Sequence, residues 1–147
     1  MFRRILVPTS GSAFSNRAVA TAARLALSLR AKLLILHVRS PIETPHHVEG
    51  GALSNLGGDV VMQEIEEEER ELLESALKLA ATEGTTATSA FVAGYSPSEA
   101  IVRIAGEEHC DLIVMASHGR HGIAELLQTS ETQKVLNHAT IPVLIVR

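Results

Sequence analysis

Aromatic side chains are scarce in this chain: they make up 3% of its 147 residues, with no Trp, one Tyr and three Phe. Proteins that hold single-stranded nucleic acid stack its bases on exposed aromatics, so an RRM-type sheet or an OB-fold surface is excluded as a reading. Basic charge is also short. Thirteen Lys and Arg stand against seventeen Asp and Glu, a formal net charge of −4, whereas a general nucleic-acid binder carries a basic footprint. The one cysteine, Cys110, cannot close an intramolecular disulfide, and Met1-Phe2-Arg3-Arg4 leads into no secretory apolar stretch, so the expected compartment is a reducing cytoplasm. No apolar run approaches the roughly 18 residues a membrane helix needs, and no membrane partner is expected.

Aliphatic material is abundant. Hydrophobic residues reach 46% and charged residues 20%, enough to bury the core of one domain spanning residues 1–147. That core must be built from Val, Ile, Leu and Ala.

Short apolar runs alternate with helical periodicity along the chain. Ile5-Leu6-Val7 ends in the turn residues Pro8-Thr9-Ser10-Gly11-Ser12 and reads as a buried strand. Ala18, Ala22, Leu25 and Leu29 then mark one face of a helix from Ala13 to Arg30. Lys32 to Val38 is a near-continuous apolar run, as strands covered on both faces are in parallel sheets. Pro41 to Gly58, with its prolines, glycines and His46-His47, reads as a long loop, and Asp59 as the cap of a helix to about Ala81. Nine acidic and two basic residues fall between positions 59 and 83, a pattern that suits a solvated face. Thr85 to Val92 suits an edge strand. Ser96-Pro97-Ser98-Glu99 has the form of a capping box opening a helix to about Glu108. Asp111 to Ala116 is a further buried strand, followed by a helix from about Ile123 to Asn137 and a final strand Val143-Leu144-Ile145-Val146. The order βαβαβαβαβ implies an α/β fold, a parallel sheet with helices on both faces.

In such a sheet, ligands bind beyond the C-terminal strand ends where the strand order reverses. Two loops fit that position, Pro8 to Ser12 and Ser117 to Gly122. Neither a Walker A pattern nor G-x-G-x-x-G is present. His118-x-x-His121 lacks a further ligand at a defined spacing, so no metal is expected. Cys110 reads as a small apolar filler, His37 as a strand-end residue bonded to backbone, and without a G-x-S-x-G elbow no catalytic residue is expected. Arg120, beside Gly119, has the chemistry to pair with a phosphate.

Several segments together resemble the universal stress protein family: Ile5-Leu6-Val7-Pro8, Leu36-His37-Val38, Gly94 with Ile101, Cys110 through Arg120, and Val135-Leu136-x-His138-Ala139-x-x-Pro142 through Arg147. The resemblance runs from end to end. It implies a single doubly wound, Rossmann-like domain of the adenine nucleotide alpha hydrolase type, with a five-stranded parallel sheet in the order 3-2-1-4-5. It also implies a homodimer formed through Val143, Leu144, Ile145 and Val146. The ATP-binding pattern of the family, G-x-x-G-x(9)-G-[S/T], falls on Ala116, Gly119, Thr129 and Ser130, so two of its three glycines are absent. Ser10 stands where the family usually has an acidic residue, and Val38 where it places adenine against main chain.

Thr129, Ser130 and Thr132 still supply hydroxyls near a helix start, whereas Glu131 repels phosphate. The candidate ligand contacts are thus Pro8, Thr9 and Ser10 in the first loop and Val38 after the second strand. Met115, Ala116, His118, Gly119, Arg120 and Gly122 follow from the fourth strand and its loop, and Thr129, Ser130, Glu131 and Thr132 from the last helix. The leading expectation is a non-enzymatic, homodimeric stress-response protein that requires no cofactor and lacks tight ATP binding. The alternatives are a sensor that binds ATP or AMP and an enzyme related to the ATP-pyrophosphatases.

Overall fold

The computed structural model describes residues 1–40, 54–117 and 131–147, with backbone alone for 54–66. Its elements are β1 (Arg4–Pro8), α1 (Ala13–Leu29), β2 (Lys32–Arg39), α2 (Ser54–Thr82), β3 (Ala87–Ala93), α3 (Pro97–Glu107), β4 (Leu112–Ala116), α4 (Glu131–His138) and β5 (Val143–Val146). The five strands form one sheet in the order β3-β2-β1-β4-β5, and every pair is parallel. This is the α/β architecture expected from the sequence, in the strand order that the family resemblance implies.

Because successive strand residues face opposite sides, the central strands split their side chains between two cores. Ile5, Val7, Leu33, Ile35, Leu112 and Val114 meet α1 and α2, where Ala18, Ala22, Ala26, Ala76 and Ala80 let the helices lie close to the sheet. On the other face Leu6, Leu34, Leu36, Ile113 and Met115 pack with Ile101, Ala105 and Val135 of α3 and α4. Cys110 is buried in this second core, and burial pushes its thiol pKa up. The fully buried residues contain no aromatic ring, so branched aliphatics fill the doubly covered sheet as the composition requires.

Three expectations are corrected at the level of elements. First, α2 begins at Ser54 and takes in Gly57, Gly58 and Asp59, so Asp59 is not its cap. Two glycines cost a helix about 1 kcal/mol each, a penalty that a 29-residue helix anchored on the core through Leu73, Ala76, Leu77 and Ala80 can absorb. Second, β3 runs from Ala87 to Ala93 rather than from Thr85, because the Thr85 N–H donates to the Ala80 carbonyl and still belongs to the turn after α2. Third, Ser96 is the N-cap residue of α3 and Pro97 its first residue, but the Ser96 side chain makes no cap hydrogen bond. The rest of the expected 41–58 loop, residues 41–53, lies outside the described residues, as does the part of the expected last helix before Glu131.

Candidate functional site

The chain passes from β1 to β2 on one side and returns to β4 on the other, so the crevice of this sheet opens above the C-terminal ends of β1 and β4. Pro8, Thr9 and Ser10 form one wall, with Val38 at the end of β2 beside them. Met115 and Ala116 end β4 on the floor, and Glu131 and Thr132, the first residues of α4, face them. The remaining candidates, His118, Gly119, Arg120, Gly122, Thr129 and Ser130, lie outside the described residues.

The first wall is a cluster of hydroxyls at the start of α1. Ser12 is the N-cap, and its Oγ accepts from the Ser15 N–H at 3.2 Å. The Ser15 hydroxyl donates to the Ser12 carbonyl at 3.0 Å and accepts from the Thr9 hydroxyl at 3.2 Å. Ser10 Oγ lies 3.1 Å from Ser12 Oγ. Gly11 makes this turn possible, because its φ of 79° is left-handed and a Cβ there would meet Leu72 Cδ1 at 3.0 Å. His37 supports the wall from behind, with Nδ1 at 2.8 Å from the Thr9 carbonyl oxygen, the backbone bond expected of it.

The opposite wall is held by a carboxylate. Glu131 Oε2 accepts from the Ser98 N–H at 2.8 Å, in the first turn of α3, and Oε1 accepts from Lys134 Nζ at 3.1 Å. Burial opposes ionisation of Glu131, but the hydrogen bonds from Ser98 and Lys134 outweigh it and hold the carboxyl below its ordinary range. Glu131 therefore does for α3 what the expected Ser96 box does not. Pro97 and Ile101 of α3 also line the crevice.

Sequence reasoning placed Ser12 in the crevice loop but not Ser15, His37, Pro97 or Ile101. A signal for Ser15 lay in Ser12-x-x-Ser15, an N-cap spacing directly after a strand end. Among the described residues no group of three His, Cys, Asp or Glu side chains could hold a metal, and no helix is long and apolar enough to cross a membrane.

A doubly wound parallel sheet with a crevice at its switch point defines the class of protein, a Rossmann-like α/β domain. The family model described as "Universal stress protein family" matches residues 1–147, and the chain belongs to that family. It is 35% identical over 149 residues to Universal stress protein YxiE of Bacillus subtilis (strain 168), covering 100% of both chains. It is 32% identical over 148 residues, again covering 100% of both, to the Thermus aquaticus "Universal stress protein in QAH/OAS sulfhydrylase 3'region". Among solved structures, a universal stress protein in complex with cAMP superposes with a TM-score of 0.74 at 28% identity, over 99% of this chain and 97% of that one.

Proposed function

We propose that this chain is a non-enzymatic regulatory protein of the stress response, a cytoplasmic homodimer whose crevice does not hold ATP tightly. The observation that carries this reading is the Glu131 carboxylate on the crevice wall, where a triphosphate would need donors. The other described wall residues offer hydroxyls and backbone groups, which suit a sugar or the edge of a base but neutralise no charge. The absence of two motif glycines, at Ala116 and Thr129, points the same way. Calorimetric titration of ligand-free protein with ATP and Mg²⁺ tests the reading. Binding no tighter than millimolar is expected, and a micromolar dissociation constant would overturn it.

A second reading is favoured by the solved relative in complex with cAMP. In it the crevice takes the adenosine part of an adenine nucleotide weakly, with Val38 main chain and Pro8 against the base and the Thr9 and Ser10 hydroxyls near the sugar. Occupancy would then change a partner surface beside the crevice. Dimerisation belongs to both readings and is supported by β5, an edge strand whose Leu144 is 40% exposed.

A further inference from the structure

The sheet ends at β3, and its outer edge is unguarded. Natural edge strands are kept from pairing with other chains by Lys, Pro, bulges or shortness. None of these protects β3: Ala87–Ala93 carries no charge and no proline, and its register to β2 runs unbroken over all 7 residues. Among the described residues no strand lies beyond it. The Gly94 N–H donates inward to the Arg39 carbonyl, so by the two-residue alternation Ser89 and Phe91 turn their N–H and C=O groups outward. Their side chains face α2, and with Leu73 and Leu77 they line a groove along the edge. Phe91 is 40% exposed in it.

We infer that this edge joins a second copy of the chain, β3 against β3 in antiparallel register across a two-fold axis at Ala90. The edge is complementary to itself in that arrangement, as an isologous contact must be. Ser89 of each copy falls opposite Phe91 of the other, so their outward backbone groups exchange hydrogen bonds, and each Phe91 ring lies over a serine beside the partner's Leu73 and Leu77. On the other face each Val92 meets a Thr88. The helices above fit as well. α2 packs on β2 and β3 alike, and strands about 4.8 Å apart bring the two α2 helices to about 10 Å, an ordinary packing distance. Charge singles out this partner. Phe91 and Glu69 lie level, joined through Arg39. One strand residue down to Ala90 is about 3.3 Å, or about two residues along the antiparallel α2. The axis thus crosses α2 near Leu72, and Arg70 of each copy meets Glu74 of the other, both on the groove's rim. The other exposed acids of α2, Glu67, Glu68 and Glu71, repel their counterparts and keep the contact weak, with a Kd on the order of 100 μM.

The test is sedimentation equilibrium of wild type, Arg70→Glu, Glu74→Arg and Ser89→Lys between about 10 μM and about 1 mM, with circular dichroism to confirm the fold. All three positions are exposed, so the substitutions leave the core intact. Wild type is expected to show a concentration-dependent association step, upward from a dimer, or upward from a monomer in a Leu144→Lys background. The fate of pairing through β5 is therefore read separately. Either charge variant alone sets like charges across the axis and is expected to weaken the step about fivefold or more. An equal mixture of the two is expected to recover it, because a chain with two acids on the rim then meets a chain with two bases. Ser89→Lys, the guard that natural edges carry, is expected to abolish the step in either background. If a charge variant misfolds, wild type against Ser89→Lys decides. No association step in wild type up to about 1 mM overturns the inference, and is the result if the edge instead takes an extended peptide of another protein. A mixture no more associated than its separate components, or a Ser89→Lys protein that associates like wild type, puts the contact elsewhere and overturns it equally.

Discussion

His37 joins the crevice to the helix behind it: its Nδ1 lies 2.8 Å from the Thr9 carbonyl oxygen, and its Nε2 faces the Glu69 carboxylate of α2 at 4.0 Å. A carbonyl only accepts, so Nδ1 carries the proton and Nε2 is the atom turned to Glu69. Glu69 is only 8% exposed, and Arg39 Nη1 stands 3.5 Å from its Oε2, although neither of these two atoms makes a hydrogen bond. Phe91 covers the group, with the Arg39 guanidinium 5.3 Å from its ring centre and the His37 ring stacked at 6.0 Å.

A buried ion pair with unbonded atoms gains little from its attraction but loses much when one partner is removed. Glu69→Gln leaves Arg39 charged and unpaired, and is expected to lower stability by about 3 kcal/mol in urea unfolding. The double replacement Arg39→Met with Glu69→Leu is expected to recover most of that loss, to within about 1 kcal/mol of wild type. If the double variant is no more stable than Glu69→Gln, the pair is a net stabiliser and this description of it is wrong.

Gly11 predicts a local cost. Its left-handed φ and the 3.0 Å approach of Leu72 Cδ1 mean that Gly11→Ala strains the crevice loop, at about 1 to 2 kcal/mol in thermal or urea unfolding. Gly106, in α3 with open space around its missing Cβ, is the control: Gly106→Ala is expected to stabilise by roughly 0.5 to 1 kcal/mol. Equal effects at the two sites would contradict the assigned turn.

Acid should weaken the fold through two carboxylates. Asp111 resists ionisation through burial, but the Arg4 and Arg3 N–H groups that donate to it, at 2.9 and 2.8 Å, outweigh this and lower its pKa. Glu131 is lowered similarly. A folded pKa below the unfolded value gives stability that is complete above the unfolded value, about 4, and is lost as pH falls through the folded one. Asp111→Asn is thus expected to be less stable at neutral pH and to show a shallower loss below about pH 4. An acid slope identical to that of wild type would remove Asp111 from this role.

Leu144 tests the proposed dimer. Leu144→Lys places a charge on the exposed side of β5 and is expected to give a monomer by light scattering at micromolar concentration, with the circular dichroism of the fold retained. A wild-type protein that is itself monomeric under those conditions would rule out dimerisation through this strand.

The strands β1, β2 and β4 are legible in the sequence because parallel strands buried on both faces need unbroken apolar runs, and Ile5-Leu6-Val7 and Leu33 to Leu36 supply them. The first crevice wall is legible for a related reason: Pro8-Thr9-Ser10-Gly11 ends a central strand at the switch point. The tie from Glu131 to Ser98 is not, since the residues are thirty-three positions apart and the bond exists only because α3 and α4 pack side by side. Ser96-x-x-Glu99 matched a local rule, but Glu131 serves the helix start instead. The start of α2 was hidden by Gly57-Gly58, whose turn propensity yields to a long helix.

The most direct measurement is amide NMR of labelled protein titrated with adenosine and, separately, with ATP and Mg²⁺. The expected result is fast-exchange shifts at Thr9, Ser10, Val38, Ala116 and Glu131, saturating only near millimolar adenosine and smaller for ATP at equal concentration. Slow-exchange saturation by micromolar ATP, or shifts that avoid these residues, would contradict a weak, phosphate-averse crevice above β1 and β4.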